Sequence, residues 1–240
     1  PFALRGVMLY QGESNWLKGD GAIDANKLLA LINSWRAAWG RDLPFYYVQL
    51  PPLRYSARTN PSHTPTAEAV FREAQSAALK LPNTGVVVTT DLVDDLKNMH
   101  PPHKKEVGER LALWALAKDY GRKHIEPSGP EYRPGRIEHE GYKAVLHFYH
   151  VGKGLVSKDG QPLTWFETAG KGGKFFPAKA EISGDAIVIT SPQVAEPWEV
   201  RFAWDEGATP NFFNKDGLPA VPFRTDNPFE QISNPNISKP

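Results

Sequence analysis

Cysteine is absent from the 240 residues. Disulfides, thiol catalysis and cysteine-bound metals are therefore excluded, and the redox compartment is left open. No apolar run approaches the ~20 residues that a membrane-spanning helix needs, so a membrane partner is not expected. Charge of one sign is not in excess either: 28 Lys plus Arg against 27 Asp plus Glu leave a formal charge of +1. Duplex-binding proteins usually carry a basic excess or stripe, so nucleic acid is not an expected partner. No Gly-rich loop follows a strand, and nucleotide binding has no support. No apolar segment behind a basic start marks a signal peptide, and Pro1-Phe2-Ala3 does not look like a native start. Proline (22) and tryptophan (7) are plentiful. Proline punctuates loops. Tryptophan is common on sugar-facing surfaces, but most of these are expected in the core.

Residues 1–121 alternate between strand-like and helix-like segments. Arg5 to Tyr10 is a short apolar run, Phe45 to Leu50 is aromatic and strand-like, and Gly85 to Thr90 is β-branched. The last reads as a buried parallel strand. Between and after them, Ile23–Trp39, Thr66–Lys80 and His103–Tyr120 carry helical spacing. This order implies a parallel sheet covered by helices. Three strands are few for such a sheet, where ~5–6 is the mean, so residues 1–123 read as part of an α/β domain. From His124 the helical period disappears. Asp159-Gly160, Gly184-Asp185 and Asp216-Gly217 are turn dipeptides between β-rich runs, including Ala186–Ile189 and Val200–Trp204. Residues 124–240 therefore read as an all-β, sandwich-like domain. Pro219, Pro222 and Pro228 suggest a tail that wraps a surface without forming elements of its own.

Ligands of open α/β sheets bind beyond the carboxyl ends of the parallel strands. Three loops leave those ends: Gln11-Gly12-Glu13-Ser14-Asn15, the proline-rich stretch 51–65, and Asp91 to Pro101. The first offers an amide, a carboxylate, a hydroxyl and a second amide. Residue types alone fit a plain polar turn better, yet an amide donor there suits a developing oxyanion. The third places His100 just before a helix, with Asp91, Asp94 and Asp95 available to orient it. A lone loop histidine is more often structural, but an imidazole is also the usual general base for a hydroxyl. The two loops open on one edge of the sheet, which favours the functional reading of each. Metal readings are weak. Pro101-Pro102 separates His100 from His103, and the odd spacing of His147 and His150 on a strand points them to opposite faces.

Gly6-Val7-Met8-Leu9-Tyr10-Gln11-Gly12-Glu13-Ser14-Asn15 resembles the third conserved block of the sialate O-acetylesterase-like branch of the SGNH hydrolases. The similarity continues through Ile32–Arg36, Leu43–Leu50, Phe71–Gln75, Met99–Lys104, Val107–Ala112, Ala203-Trp204, Asn211–Asn214 and Asp216–Asp226. These matches run in order along most of the chain. The resemblance implies a flavodoxin-like (SGNH) parallel sheet, incomplete in this chain, followed by the β-rich half. It implies a serine esterase that removes acetyl groups from carbohydrates without metal or organic cofactor, in a secreted or periplasmic setting. His100 matches the catalytic histidine, Gln11 the polar residue near the oxyanion, and Glu13 a supporting hydrogen-bonding position in the same loop.

Two departures qualify it. The family's nucleophile lies in a Gly-Gln-Ser-Asn-Met block, which is absent here; Ser14 falls inside the third block and is not that serine. The expected partner is then a missing N-terminal part that carries the nucleophile, and this chain alone is expected to be inactive. The position three before His100, often aspartate, is Lys97; the position two before, where branch members often carry aspartate, is Asn98. An amide can stand in for that carboxylate at some cost, so a Ser–His dyad is as compatible as a triad. The alternative is a non-catalytic carbohydrate-binding protein or subunit, with Trp165-Phe166 and Phe212-Phe213 as stacking surfaces, although packing between the two halves is the preferred reading of these aromatics.

Overall fold

The structure, a computed structural model, describes residues 2–57 and 63–226. The first half is built from β1 (Val7–Leu9), α1 (Glu13–Leu17), α2 (Asp24–Trp39), β2 (Phe45–Val48), α3 (Ala67–Ser76), β3 (Thr84–Val87) and α4 (Lys104–Lys118). The strands pair in parallel in the order β1-β2-β3. The two-residue period of β2 divides its side chains between faces. Phe45 and Tyr47 join Leu28 and Ile32 of α2, with Ala78, Val86 and Val88. Tyr46 and Val48 face Val107, Leu111 and Trp114 of α4. Helices therefore cover both faces, as the alternation of segments implies.

Single residues fix these packings. A Cβ on Gly85 would stand 2.6 Å from Trp114 Cε3, so only glycine lets the indole lie on β3. The indole N–H donates to the Val86 carbonyl at 3.0 Å. Arg36 of α2 is buried and donates to the carbonyls of Leu43 (3.0 Å) and Pro82 (2.6 Å), which tethers the lead-ins to β2 and β3. The sheet is unevenly covered. β2 is buried throughout, whereas Met8 on β1 is 54% exposed.

The second half carries β4 (Glu131–Glu140), β5 (Lys143–Tyr149), β6 (Leu155–Ser157), β7 (Phe166–Ala169), β8 (Phe176–Pro177), β9 (Lys179–Ser183), β10 (Ala186–Thr190), β11 (Glu199–Phe202), β12 (Phe212–Asn214) and β13 (Phe223–Arg224). They form sheets β4-β5-β10-β9 and β13-β11-β7-β8, with a β12-β6 ribbon. Alternate residues point inward, as in β5, where Ala144, Leu146 and Phe148 meet Phe166, Val200, Phe202, Phe212 and Phe223 in one core. The sandwich is therefore closed by aromatic side chains from both sheets.

One alternative loses its footing and one expectation needs correction. Phe166, Phe212 and Phe213 are core residues, each 3% exposed or less, and offer no stacking surface; only Trp165 of the four is exposed. The segment after Asp216 is more than a wrapping tail. Residues 223–224 join the edge of β11 as β13, Val221 packs into the α/β core, and Val221 N–H donates to Pro130 O at 2.9 Å. Pro228 lies outside the described residues.

Candidate active site

The loop after β1 is drawn down by α3. Gln75 accepts the Leu50 N–H at 2.9 Å, and a Cβ on Gly12 would stand 3.1 Å from Gln75 Nε2 and 3.1 Å from Leu50 Cδ2. Glycine at 12 thus allows the approach. The Gly12 carbonyl then accepts Trp16 N–H at 2.9 Å and starts α1, whose Trp16 is buried against Tyr55, His63 and Phe71. Gln11 is exposed at the mouth of a pocket of about 220 Å³ shared with Asn15, Asp24, Lys27, Tyr47 and Gln75. Asn15 donates to Asp24 at 2.7 Å. Burial raises the Asp24 pKa against that hydrogen bond. Glu13 opens α1, and its carboxylate makes no hydrogen bond among the described residues. Its charge is felt by Tyr10, whose phenol is pushed up to about 12 by burial first and Glu13 second.

The loop after β3 carries His100, which is exposed. Its backbone N–H donates to Asn98 Oδ1 at 2.9 Å, so the Asn98 side chain serves a turn and does not face the imidazole as partner. Each nearby aspartate is engaged elsewhere. Asp91 pairs both oxygens with Arg110 at 2.7 Å and takes Lys158 at 3.3 Å. Asp94 holds the His103 ring at 2.9 Å, and Asp95 accepts the Lys97 N–H at 2.9 Å. Burial alone would raise Asp91; the Arg110 and Lys158 charges outweigh it and hold the carboxyl below the usual range. The hydrogen bond that His103 donates to Asp94, then the charges of Asp94 and Glu106, raise the His103 pKa. Among the described residues no carboxylate hydrogen-bonds the His100 imidazole, so none of the three aspartates available to orient it does so.

The two loops meet through their flanks. Lys104, four residues after His100, lies 4.5 Å from the Tyr10 ring centre and donates to Tyr10 Oη at 3.3 Å. Met99 packs on the cluster of Trp16, Leu50, Leu53, Tyr55 and Phe71. The Gln11 and His100 side chains share no hydrogen bond among the described residues. No group of three metal-ligating side chains occurs among the described residues; His147 and His150 pair separately with Glu138 and Glu126.

Sequence reasoning missed a buried cluster behind these loops. Arg72 is fully buried and donates to Leu50 O (3.1 Å), Asp205 O (3.1 Å) and Glu68 (2.8 Å). Glu206, from the β-rich half, accepts the Ser56 N–H at 2.8 Å and its hydroxyl. The Phe71–Gln75 match was visible, but a charge inside a helix normally reads as a solvent face.

A sequence model of the family "Carbohydrate esterase, sialic acid-specific acetylesterase" matches residues 2–117. The human sialate O-acetylesterase is 26% identical over 252 residues, covering 92% of this chain and 45% of that protein. The mouse sialate O-acetylesterase is 31% identical over 165 residues, or 56% of this chain and 27% of that protein. A crystal structure of a carbohydrate acetylesterase from Xanthomonas citri superposes with a TM-score of 0.86 at 37% identity, over 95% of this chain and 51% of that one. The chain thus spans about half the length of the human and Xanthomonas citri proteins.

Proposed function

We propose that this chain, which belongs to the sialate O-acetylesterase-like branch of the SGNH hydrolases, works in a carbohydrate O-acetylesterase and supplies its histidine and oxyanion loop. The observation that carries the proposal is the convergence of two strand-end loops, tied by Lys104 to Tyr10 and by Met99 to the Trp16 cluster. One brings an amide and the other an imidazole that makes no hydrogen bond among the described residues. The nucleophilic serine comes from a segment outside these residues.

In this scheme the serine hydroxyl gives its proton to His100 and attacks the acetyl carbonyl. The tetrahedral oxyanion is held by backbone N–H groups and the Gln11 amide, one such donor being worth about 10²–10³ in rate. His100 returns the proton to the departing sugar oxygen. Water, activated by the same imidazole, then releases acetate from the serine. Among the described residues no carboxylate bonds to the imidazole, Asn98 contributes by shaping the turn, and the scheme works with a dyad as well as with a triad. The ligand is an acetylated carbohydrate and the setting secreted or periplasmic.

Replacing His100 with alanine in the complete enzyme should lower acetyl ester hydrolysis by orders of magnitude; activity near wild type would refute the assignment. Separately, the 240-residue chain should not be labelled by a fluorophosphonate probe. Stoichiometric labelling of a serine within it would place the nucleophile here.

A further inference from the structure

We propose that Glu206, supplied by the β-rich half, is a positioning residue for His100; the proposal rests on the catalytic reading of that histidine. Glu206 is 5% exposed, and its backbone and its carboxylate both bond to the α/β half. Its backbone N–H donates to Pro65 O at 2.7 Å, and its carbonyl accepts Leu53 N–H at 3.0 Å and Arg72 Nη2 at 3.3 Å. Its carboxylate takes both donors of Ser56. One residue therefore clamps the 53–56 segment along its length.

That segment is the floor of the His100 loop. Arg54 N–H donates to the Leu96 carbonyl at 2.8 Å, and Met99 packs beside Leu53 and Tyr55. From Leu96 onward each step is a short local bond: Asp95 accepts the Lys97 and Asn98 N–H groups, and Asn98 Oδ1 accepts that of His100. Among the described residues the imidazole makes no hydrogen bond, so its place follows this backbone path and the packing of Met99. A catalytic group misplaced by ~1 Å loses up to ~10²-fold in rate. The chemistry at position 206 matters because a carboxylate accepts through both oxygens. A glutamine keeps the shape but loses the charge, and it can accept the Ser56 N–H only by reversing the hydroxyl bond so that its NH₂ donates to Ser56 Oγ.

The test uses Glu206→Gln, with Ser56→Ala as a milder variant that removes only the hydroxyl bond. In the 240-residue chain, NMR ring signals of His100 are identified by their loss in His100→Ala. Glu206→Gln should move those signals and the amides of residues 97–101, while the rings of His139 and His147 stay in place. In the complete enzyme kcat should fall about tenfold to a hundredfold with KM little changed, and Ser56→Ala should act in the same direction by less. Unmoved His100 signals in a folded variant, or an unchanged kcat, would overturn the proposal. If Glu206→Gln fails to fold, Ser56→Ala decides by the same signals. Near-wild-type activity of His100→Ala would instead strike the acetylesterase scheme, a result separable from the behaviour of Glu206.

Discussion

Gln75 stands where the loops after β1 and β2 touch α3. Its carbonyl oxygen satisfies the buried Leu50 N–H, and its amide nitrogen limits how near residue 12 can come. Gln75→Leu keeps the volume but strands that N–H, which should cost about 1–3 kcal/mol. Urea denaturation should show a lower midpoint with an unchanged slope. Gly12→Ala attacks the same contact from the other side. The added methyl meets Gln75 Nε2 and Leu50 Cδ2, each at 3.1 Å. Crowding of this kind costs about 1–3 kcal/mol in a packed site. A fully wild-type midpoint for either variant would show that the loop adjusts freely, and would weaken the case that Gln11 is held in place.

At the scale of elements, the His100 loop is moored at its start by α4 and the sandwich. Asp91 lies between Arg110 of α4 and Lys158 of the turn after β6, with its side chain 8% exposed. Its folded pKa lies below the ordinary aspartate value of about 3.9. The unfolded state thus binds the proton first as the pH falls. The stabilisation is fully present above the ordinary value and is lost as the pH falls through the folded one. Asp91→Asn should therefore be less stable than wild type near neutrality, and the gap should narrow on acidification; urea titrations across the acid range would measure it. A gap that widened toward low pH would contradict the pairing. Much at this scale was legible in the sequence. Helical spacing marked α2, α3 and α4, and turn dipeptides marked the ends of β9 and β12. β13 was not, because proline-rich surroundings read as loop until β11 offers an edge. The Glu206 clamp was not legible either. Asp205-Glu206-Gly207 has the composition of a surface turn, and Ser56 lies 150 positions away. Burial created across that separation leaves no local period to read.

The whole molecule poses the question of whether residues 1–123 and 124–240 are separable. Composition suggests a boundary, since the helical period stops there. The contacts run the other way. Arg224 makes a bidentate pair with Glu73 of α3 at 2.9 and 2.8 Å, and Val221 fills part of the α/β core. Arg72, wholly buried, depends on the carbonyls of Asp205 and Glu206. Without the second half it would keep Glu68 and Leu50 O but lose the rest of its shell. Residues 1–123 alone would also leave open the apolar surface that Val221 covers, against a total of only ~5–15 kcal/mol that stabilises a typical domain. The expected outcome is a single unfolding transition for the full chain, coincident by fluorescence and far-UV circular dichroism. A fragment of residues 1–123 should then unfold without a cooperative transition. Two resolved transitions, or a cooperatively folded fragment, would mean that the sandwich is an appended module. The clamp on the His100 loop would then have to be borne by the α/β half by itself.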